Sequence, residues 1–302
     1  MPRRSIKSSN KFPSRKKDLP NYLRTLDLSP QKKLGQNFLI NQMVMFDIAT
    51  AVEHEGIETV IEIGAGPGGL TQELVNKFKS VIAVELDEEL AAITRNRLGD
   101  YNNLTVIAAD ILQIDLIDIL LEADAKPPFV VVGNLPYYIT QPILRKIQES
   151  EVLPACIVIL VQREVARRIV GGSSKESFLS MCTKFFGSPE KLFDVDSSSF
   201  WPMPKVQSSV VRIDNFPEPA LPIFNDDRKS FFHLLRAGFS SPRKQLHNVL
   251  PGALGLLTAD IDLVLSEADI APSLRAQHLS LRDWYLLFCA LQNNNPAAMR
   301  IR

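Results

Sequence analysis

The sequence is poor in the residues that hold metals and disulfides. Its 302 residues include only three cysteines and four histidines. The cysteines form no CxxC pair and the histidines are scattered, so neither a zinc site nor a disulfide scaffold is predicted. No apolar run approaches the roughly 20 residues of a membrane span, and the first residues lack the apolar stretch of a secretory signal. The composition, 45% hydrophobic and 23% charged, is typical of a soluble globular protein.

Positive and negative charges balance over the whole chain but not within its first residues. Lysines and arginines equal aspartates and glutamates at 34 each, yet the first 33 residues hold only Asp18 and Asp27 as acids. The bases there are Arg3, Arg4, Lys7, Lys11, Arg15, Lys16, Lys17, Arg24, Lys32 and Lys33. A basic arm over residues 1–30 indicates contact with a polyanion; a solvated tail is the alternative. We expect a cytoplasmic protein, with an organelle transit peptide as the other interpretation of the arm.

Short apolar runs rich in Val and Ile alternate with longer amphipathic stretches from residue 59 onward. The runs do not alternate with polar residues, which is typical of parallel strands buried on both faces. They predict a doubly wound α/β sheet. The predicted strands are Thr59–Ala65, Ser80–Leu86, Thr105–Asp110, Phe129–Leu135 and Ala155–Val161, with helices Gly69–Lys79, Glu88–Leu98, Leu116–Glu122, Gln141–Glu149 and Arg163–Val170.

The second half of the chain changes character. Lys191–Asp196 and Ser208–Asp214 are predicted to pair as an antiparallel hairpin at one sheet edge. Three prolines between residues 215 and 227 then interrupt regular structure, and helical spacing follows in Arg228–Phe239, Pro242–Leu250, Ala259–Glu267 and Leu281–Leu291. We therefore predict an arm over 1–30, a Rossmann-like domain over 31–215 and a small all-helical domain over 216–302.

A glycine-rich turn ends the first predicted strand. Gly64, Gly66 and Gly69 satisfy the GxGxxG pattern of dinucleotide folds, whereas Gly64, Gly66 and Gly68 with Glu62 satisfy the pattern of S-adenosylmethionine binding. Glu62 suits a cationic methionine ammonium better than a pyrophosphate, and Pro67 interrupts the amides that would face phosphates. The second interpretation is therefore favoured.

Acidic residues lie at successive strand ends. Glu85, with Leu86 beside it, is placed to accept the ribose hydroxyls of an adenosine, and Asp110 to accept from an adenine amino group, with the Ile111 amide next to it. Ligands of open α/β sheets bind at the carboxyl ends of strands. We expect these residues to share one pocket with Glu62.

Asn134-Leu135-Pro136-Tyr137 follows the fourth strand and is the most specific motif in the chain. An exocyclic adenine nitrogen is a poor nucleophile because its lone pair is delocalised into the ring. Acceptors for both of its N–H groups, here the Asn134 amide oxygen and the Leu135 carbonyl, favour a directed lone pair. Pro136 fixes the backbone, and Tyr137 offers a flat face to an unstacked base.

The sequence resembles the KsgA-type ribosomal RNA small-subunit adenine dimethyltransferase family over roughly residues 31–290. The motifs that carry the resemblance are Lys33–Leu39, Glu62–Gly68, Glu85, Asp110, Asn134–Tyr137, Gln162–Arg168, Phe200–Val206 and Val210–Arg212. The resemblance implies S-adenosylmethionine contacts at Asn37, Leu39, Gly64, Glu85, Asp110 and Asn134. It also implies that Tyr137 and Phe200 sandwich the target base, and that the substrate is two adjacent adenosines in a hairpin near the 3′ end of the small-subunit RNA, each methylated twice.

Basic residues near the predicted active-site mouth and in the helical domain are expected to bind RNA phosphates. They are Arg163, Arg167, Arg168, Lys205, Arg236, Arg243 and Lys244. The expected partner is small-subunit ribosomal RNA or an immature small subunit, bound by a monomer and away from membranes.

Three other functions remain open at this point. The same tetrad could act on DNA adenine or on large-subunit RNA. The fold could belong to a non-catalytic ribosome-assembly or transcription factor, although intact Glu85, Asp110 and the tetrad argue against this. A nicotinamide-dependent oxidoreductase would need a proton-relay pair such as Tyr/Lys near the cofactor, and no convincing pair is present.

Overall fold

A computed structural model describes residues 23, 30–31, 36–136, 139–172 and 176–296. Apart from Leu23 and Pro30, the predicted basic arm lies outside the described residues. The strands are β1 Phe38–Leu39, β2 Thr59–Ile63, β3 Ser80–Glu85, β4 Leu104–Ala108, β5 Phe129–Asn134, β6 Cys156–Gln162, β7 Gly187–Val195, β8 Phe200–Trp201 and β9 Ser208–Asn215. The α-helices are α1 Gln42–Ala51, α2 Gly69–Val75, α3 Glu88–Leu98, α4 Leu116–Glu122, α5 Thr140–Gln148, α6 Arg163–Val170, α7 Phe178–Phe186, α8 Asn225–Gly238, α9 Leu246–Leu254, α10 Thr258–Glu267 and α11 Leu281–Asn294.

Seven strands form one sheet in the order β4-β3-β2-β5-β6-β9-β7. The strands from β4 to β6 in this order are parallel, and β9 runs antiparallel to both of its neighbours. The predicted hairpin is confirmed as the β7–β9 pair at one edge, with β7 outermost. The α/β fold predicted from the apolar runs is therefore confirmed.

Both faces of the sheet are buried, which explains why its strands are continuously apolar. On β2, Ile61 and Ile63 pack into the core on one face, and Val60 packs into the core on the other. Successive side chains of a strand point to opposite faces, so a strand covered by helices on both sides needs apolar residues at every position.

The C-terminal helices α8 to α11 share a separate core centred on Phe231 and Trp284, which are almost fully buried. Helix α7, which the sequence patterns did not predict, contributes Met181, Phe185 and Phe186 to that core. The boundary after residue 215 stays a prediction, because a helix that precedes it packs with the helices that follow it.

Among the described residues, no single helix combines the length and hydropathy needed to cross a bilayer. Helices α9 and α10 meet those criteria only when taken together, and the chain bends by 119° between them.

Candidate active site at the carboxyl ends of the strands

One pocket opens where β2, β3, β4 and β5 end. Its space measures about 810 Å³ out to the open mouth, within the range of about 300–1,000 Å³ common for small-molecule sites. Its lining consists of Gln36, Asn37, Phe38, Ile63, Gly64, Gly66, Val84, Glu85, Leu86, Leu90, Ala109, Asp110, Ile111, Asn134, Leu135, Pro136, Ile139 and Ile143. The pocket therefore brings together most of the residues predicted from the strand ends.

The glycine turn after β2 forms one wall of this pocket. Gly64 and Gly66 have positive φ of 77° and 56°, a region that only glycine adopts readily. A Cβ added at Gly66 would lie 3.4 Å from the Phe38 ring, and one at Gly64 would lie 3.6 Å from the Asn134 carbonyl oxygen. Both distances are ordinary van der Waals contacts, so it is the positive φ rather than a lack of space that requires glycine at these two positions.

Helix α3 holds the turn from behind. The Thr94 hydroxyl donates to the Gly66 carbonyl at 2.8 Å, and the Arg97 guanidinium donates to the Pro67 carbonyl at 3.0 Å and to the Gly68 carbonyl. With the carbonyls tied to the helix, the turn presents a fixed backbone to the pocket.

Glu85 is a buried acceptor at the end of β3. Its two carboxylate oxygens accept from the Gly66 amide at 2.8 Å and from the Asp87 amide at 3.0 Å. Burial raises the pKa of Glu85, although these amide hydrogen bonds oppose the shift. Each carboxylate oxygen has a second lone pair, so the group retains acceptor capacity toward the pocket.

Asp110 lies two residues beyond Ala108, the last residue of β4, whereas the strand was predicted to end at Asp110 itself. Its Oδ1 accepts from the Leu112 amide at 2.9 Å, which fixes the side chain at the pocket wall next to Ile111.

Glu62, by contrast, does not line the pocket. Its side chain is 2% exposed, and its carboxyl accepts from the Thr71 hydroxyl at 2.6 Å. Burial raises the pKa of Glu62 to about 7; the neighbouring Glu85 charge raises it too, whereas the Thr71 hydrogen bond and Arg97 oppose the shift. The Glu62 side chain is directed at Thr71 rather than at the pocket, and its predicted contact with a methionine ammonium stays a prediction.

The raised pKa of Glu62 predicts a pH-dependent stability. The folded protein keeps this proton to a higher pH than the unfolded chain, so stability is highest below about pH 4.5 and falls as pH rises toward 7. We expect Glu62→Gln to remove this loss and to gain about 3 kcal/mol over wild type by pH 8. Urea unfolding at several pH values measures this effect. Glu73→Gln, a half-buried carboxylate on α2, is the control, and parallel wild-type and Glu62→Gln curves would contradict the shift.

Asn134, the last residue of β5, has a defined side-chain orientation. Its Nδ2 donates to the Asn37 carbonyl at 3.0 Å. A carbonyl can only accept, so the amide nitrogen must face Asn37. The amide oxygen is then left on the other side of the group, as an acceptor for a ligand in the pocket.

The peptide groups that follow are held on both sides of Leu135. The Leu135 amide donates to the Leu160 carbonyl at 3.3 Å, and the Pro136 carbonyl accepts from the Ile139 amide at 3.1 Å and the Thr140 hydroxyl at 3.3 Å. This fixes the orientation of the Leu135 carbonyl between them. Tyr137 lies outside the described residues, so its predicted stacking role stays a prediction.

The segment around Gln36 covers the pocket and is attached at two points. Asp87, which caps helix α3, accepts from the side chains of Gln31 at 3.0 Å and Gln36 at 3.2 Å. The Asn134–Asn37 hydrogen bond attaches its other end to the β5 turn. The segment therefore links the Glu85 strand end to the Asn134 strand end.

Two residues predicted from the resemblance lie elsewhere. Leu39 and Phe200 are paired across the small β1–β8 ribbon and are both buried in the core beneath the sheet, Phe200 at 1% exposure. Strand alternation explains this: in β1 the Phe38 ring faces the pocket, so the next residue, Leu39, faces the core. Phe200 does not line the pocket, and its predicted contact with the target base stays a prediction. Its neighbour Trp201 is half-buried and stacks on Phe38, with ring centroids 6.3 Å apart.

All seven basic residues predicted to bind RNA are exposed. Arg163 donates to the Gln207 side chain at 2.7 Å, which connects α6 to the segment that carries Lys205. The remaining exposed bases are Arg167, Arg168, Arg236, Arg243 and Lys244.

Several lining residues were missed by the sequence reasoning. Gln36 and Phe38 flank the predicted Asn37, and only that adjacency could have indicated them. Leu90 lies on α3, Ile139 in the turn before α5 and Ile143 on α5. Their apolar side chains carry no signal in the sequence that distinguishes a pocket wall from a core.

Comparison with known proteins places this geometry in a family. Residues 28–293 match the family described as "Ribosomal RNA adenine dimethylase". "Ribosomal RNA small subunit methyltransferase A" of Dehalococcoides mccartyi strain 195 is 37% identical over 89% of this chain and 90% of its own length. The protein of the same name from Enterococcus faecalis is 36% identical over 94% of this chain and 97% of its own length.

Solved structures agree with the sequence matches. A dimethyladenosine transferase from Plasmodium falciparum superposes with a TM-score of 0.67 at 25% identity, over 84% of this chain and 97% of that one. The 23S rRNA methyltransferase ErmE superposes with a TM-score of 0.66 at 26% identity, over 85% of this chain and 100% of that one. On its sequence and its fold, the chain belongs to the ribosomal RNA adenine dimethylase family.

Proposed function

We propose that the protein transfers methyl groups from S-adenosylmethionine to the amino groups of two adjacent adenosines in a hairpin near the 3′ end of small-subunit ribosomal RNA, giving N6,N6-dimethyladenosine. The observation that carries the proposal is the orientation of Asn134, whose amide nitrogen is held by Asn37 and whose oxygen is left as an acceptor. Relatives named for small-subunit RNA, at 34–38% identity, support the substrate.

The pocket fits S-adenosylmethionine by its shape and its polar groups. Glu85 would accept from the ribose hydroxyls, and Asp110 with the Ile111 amide would bind the adenine edge, between the apolar side chains of Leu86 and Ile63. The open backbone at Gly64 and Gly66 leaves room for the methionine part beside Asn37. When bound, the cofactor supplies an electrophilic methyl group on its sulfonium.

The Asn134–Leu135 turn would prepare the nucleophile. The Asn134 side-chain oxygen and the Leu135 carbonyl accept the two N–H groups of the target amine, which favours a pyramidal nitrogen with a directed lone pair. The amine nitrogen would bond to the methyl carbon as the carbon–sulfur bond breaks, with that bond's electron pair staying on the sulfur as a thioether. The methylated nitrogen would then lose a proton to water, so no strong base is needed. The rate gain comes from holding the amine in line and close to the methyl group.

The RNA would be held outside the pocket by the exposed basic side chains of α6, by Lys205 and by the basic side chains of the C-terminal helices. Such phosphate contacts make affinity depend on salt. We further propose that the physiological partner is an immature small subunit and that one monomer binds it.

Large-subunit RNA is the second candidate substrate, because ErmE, a 23S rRNA methyltransferase, shares the fold over most of the chain. The small-subunit relatives have higher identity, 36–37% against 26%, and match a larger share of this chain, which favours small-subunit RNA.

The test is a methylation assay with labelled S-adenosylmethionine on four substrates: naked small-subunit RNA, small subunits lacking the modification, large-subunit RNA and double-stranded DNA. We expect N6,N6-dimethyladenosine at two adjacent positions near the 3′ end of the small-subunit RNA, located by mass mapping. Label only in large-subunit RNA or DNA would move the substrate to that class, and label in none of the four would remove the proposed activity.

A further inference from the structure

A second pocket lies on the far side of helix α5 from the candidate active site. It measures about 900 Å³ out to its mouth and is enclosed by α5, α7 and α8. We call it the α5–α8 pocket. Its lining consists of Gln141, Pro142, Arg145, Gln148, Glu149, Phe178, Leu179, Cys182, Phe186, Phe232 and Arg236.

Helix α5 separates the two pockets. It begins at Thr140, shortly after the Asn134–Leu135 turn. Ile143 lines the first pocket, whereas Arg145 and Gln148 line the second. An α-helix with its side chains is about 10 Å across, a distance that one or two nucleotides of an extended strand cover. An RNA whose target base enters the active site can therefore place a nearby nucleotide in the α5–α8 pocket.

The floor of the pocket is aromatic and its rim is cationic. Phe178, Phe186 and Phe232 contribute their rings to the lining, and the Arg236 guanidinium lies 5.6 Å from the centre of the Phe178 ring. Burial raises the pKa of Cys182 to about 12, so this thiol stays neutral and apolar in character. A wall of rings next to a guanidinium is the combination that binds unpaired bases of any sequence.

The charge at the mouth favours a polyanion. Arg145 lies beside Glu149, with Nε and Oε1 2.8 Å apart. Arg168 lies at the rim, within 2.7 Å of the Gln141 amide, which can accept from it. Together with Arg236, three arginines face one glutamate around the opening, so phosphate is attracted more strongly than an acidic or apolar protein segment.

Gln148 adds a hydrogen-bond donor with no acceptor. Its side chain is 5% exposed and its Nε2 has no hydrogen-bond partner among the described residues. A buried donor left unpaired is unfavourable. The carbonyl oxygens and ring nitrogens of nucleobases are acceptors that can satisfy it.

We propose that the α5–α8 pocket binds one unpaired nucleotide of the RNA substrate while the target adenine occupies the active site. The base lies against the phenylalanine wall and accepts from Gln148, and its phosphate lies at Arg236. This inference rests on the proposed function for the identity of the RNA. It assigns a second recognition site, one helix away from the chemistry, that selects where along the strand the enzyme docks.

The experiment combines protein variants with abasic RNA. The variants are Gln148→Leu, Arg236→Gln and, as a control of equal charge change on the same helix, Lys229→Gln, which lies outside the pocket lining. The RNA is the 3′ hairpin of the small subunit, synthesised with one abasic nucleotide at each loop position in turn. KM for RNA, kcat, the cofactor dissociation constant and Tm are measured for every pair.

We expect Gln148→Leu and Arg236→Gln each to raise KM for the intact hairpin by about tenfold, with kcat and cofactor binding unchanged and the control at wild-type values. At one loop position outside the target pair, removing the base should raise the KM of the wild-type enzyme by a similar factor. In Gln148→Leu, whose KM is already raised, the same abasic change should cause little further increase. Such non-additivity identifies direct contact. Because Gln148→Leu removes an unpaired buried donor, its Tm should not fall, which separates the effect from a loss of folding.

Two results would overturn the inference. One is an unchanged KM for the RNA hairpin in both pocket variants. If these variants nevertheless lost activity on intact subunits, the occupant of the pocket would be a ribosomal protein instead. The other is additive effects at every loop position, which would reduce Arg236 to a general phosphate contact. If wild type methylates no RNA, the proposed function fails instead, and filter binding of the same abasic series still tests the pocket.

Discussion

Replacing Asn134 with alanine is expected to lower kcat by about 10²–10³-fold while leaving cofactor affinity within a few-fold of wild type. The reason is that a preorganised hydrogen-bonding group aimed at a reacting atom contributes on that scale. The Asn134 oxygen is preorganised because the Asn37 carbonyl fixes its amide nitrogen. Single-turnover methylation of the RNA hairpin, with calorimetric titration of S-adenosylmethionine alongside, measures both quantities.

Asn103→Ala is the matched control for this variant. Asn103 also donates from Nδ2 to main-chain carbonyls, those of Val75 and Phe78, but away from the pocket. It should lose stability and keep kcat. Asn134→Asp should fall between wild type and alanine, since it keeps an acceptor but cannot donate to Asn37. Near-normal turnover in Asn134→Ala would show that the amine is activated by other groups.

The architecture was largely predictable because burial on both faces of a parallel sheet leaves a direct trace in the sequence. Uninterrupted Val and Ile runs located β2 to β6, and the helices between them followed. The β1–β8 ribbon left no such trace, since two-residue strands show no period. Helix α7 was missed because it has only nine residues and is mostly apolar and buried, partly against the C-terminal helices, so its sequence is hard to distinguish from that of a buried strand.

The site was predictable where polar residues follow apolar strands. Glu85, Asp110 and Asn134 were located in this way, because a parallel sheet places all strand ends at one edge. The direction of a side chain next to a strand end was not predictable from spacing. Glu62 turns to Thr71, and Phe200 turns into the core because β8 pairs with β1. The α5–α8 pocket forms between helices about 90 residues apart in the sequence, and no local sequence pattern predicts that these helices are in contact.

Glu85 has a proposed ligand-binding role and a structural role, and one substitution should remove both. Its carboxylate is proposed to accept from a ribose, and it also accepts hydrogen bonds from the Gly66 and Asp87 amides. Asp87 in turn receives the side chains of Gln31 and Gln36 from the covering segment. A change at Glu85 therefore affects the ribose contact, the glycine turn and the attachment of the segment over the pocket.

We expect Glu85→Ala to raise the dissociation constant for S-adenosylmethionine by about 100-fold, because two hydrogen bonds to a charged acceptor contribute about 3 kcal/mol or more in total. Glu85→Gln keeps the shape but turns an N–H toward an amide donor, so its affinity should be intermediate. Glu88→Gln, an exposed carboxylate on the first turn of α3, is the control and should bind as wild type does. Calorimetric titration with S-adenosylmethionine and with S-adenosylhomocysteine measures the effect without turnover; since both ligands carry the ribose, they should weaken equally. An affinity in Glu85→Ala equal to that of Glu88→Gln would place the ribose elsewhere in the pocket.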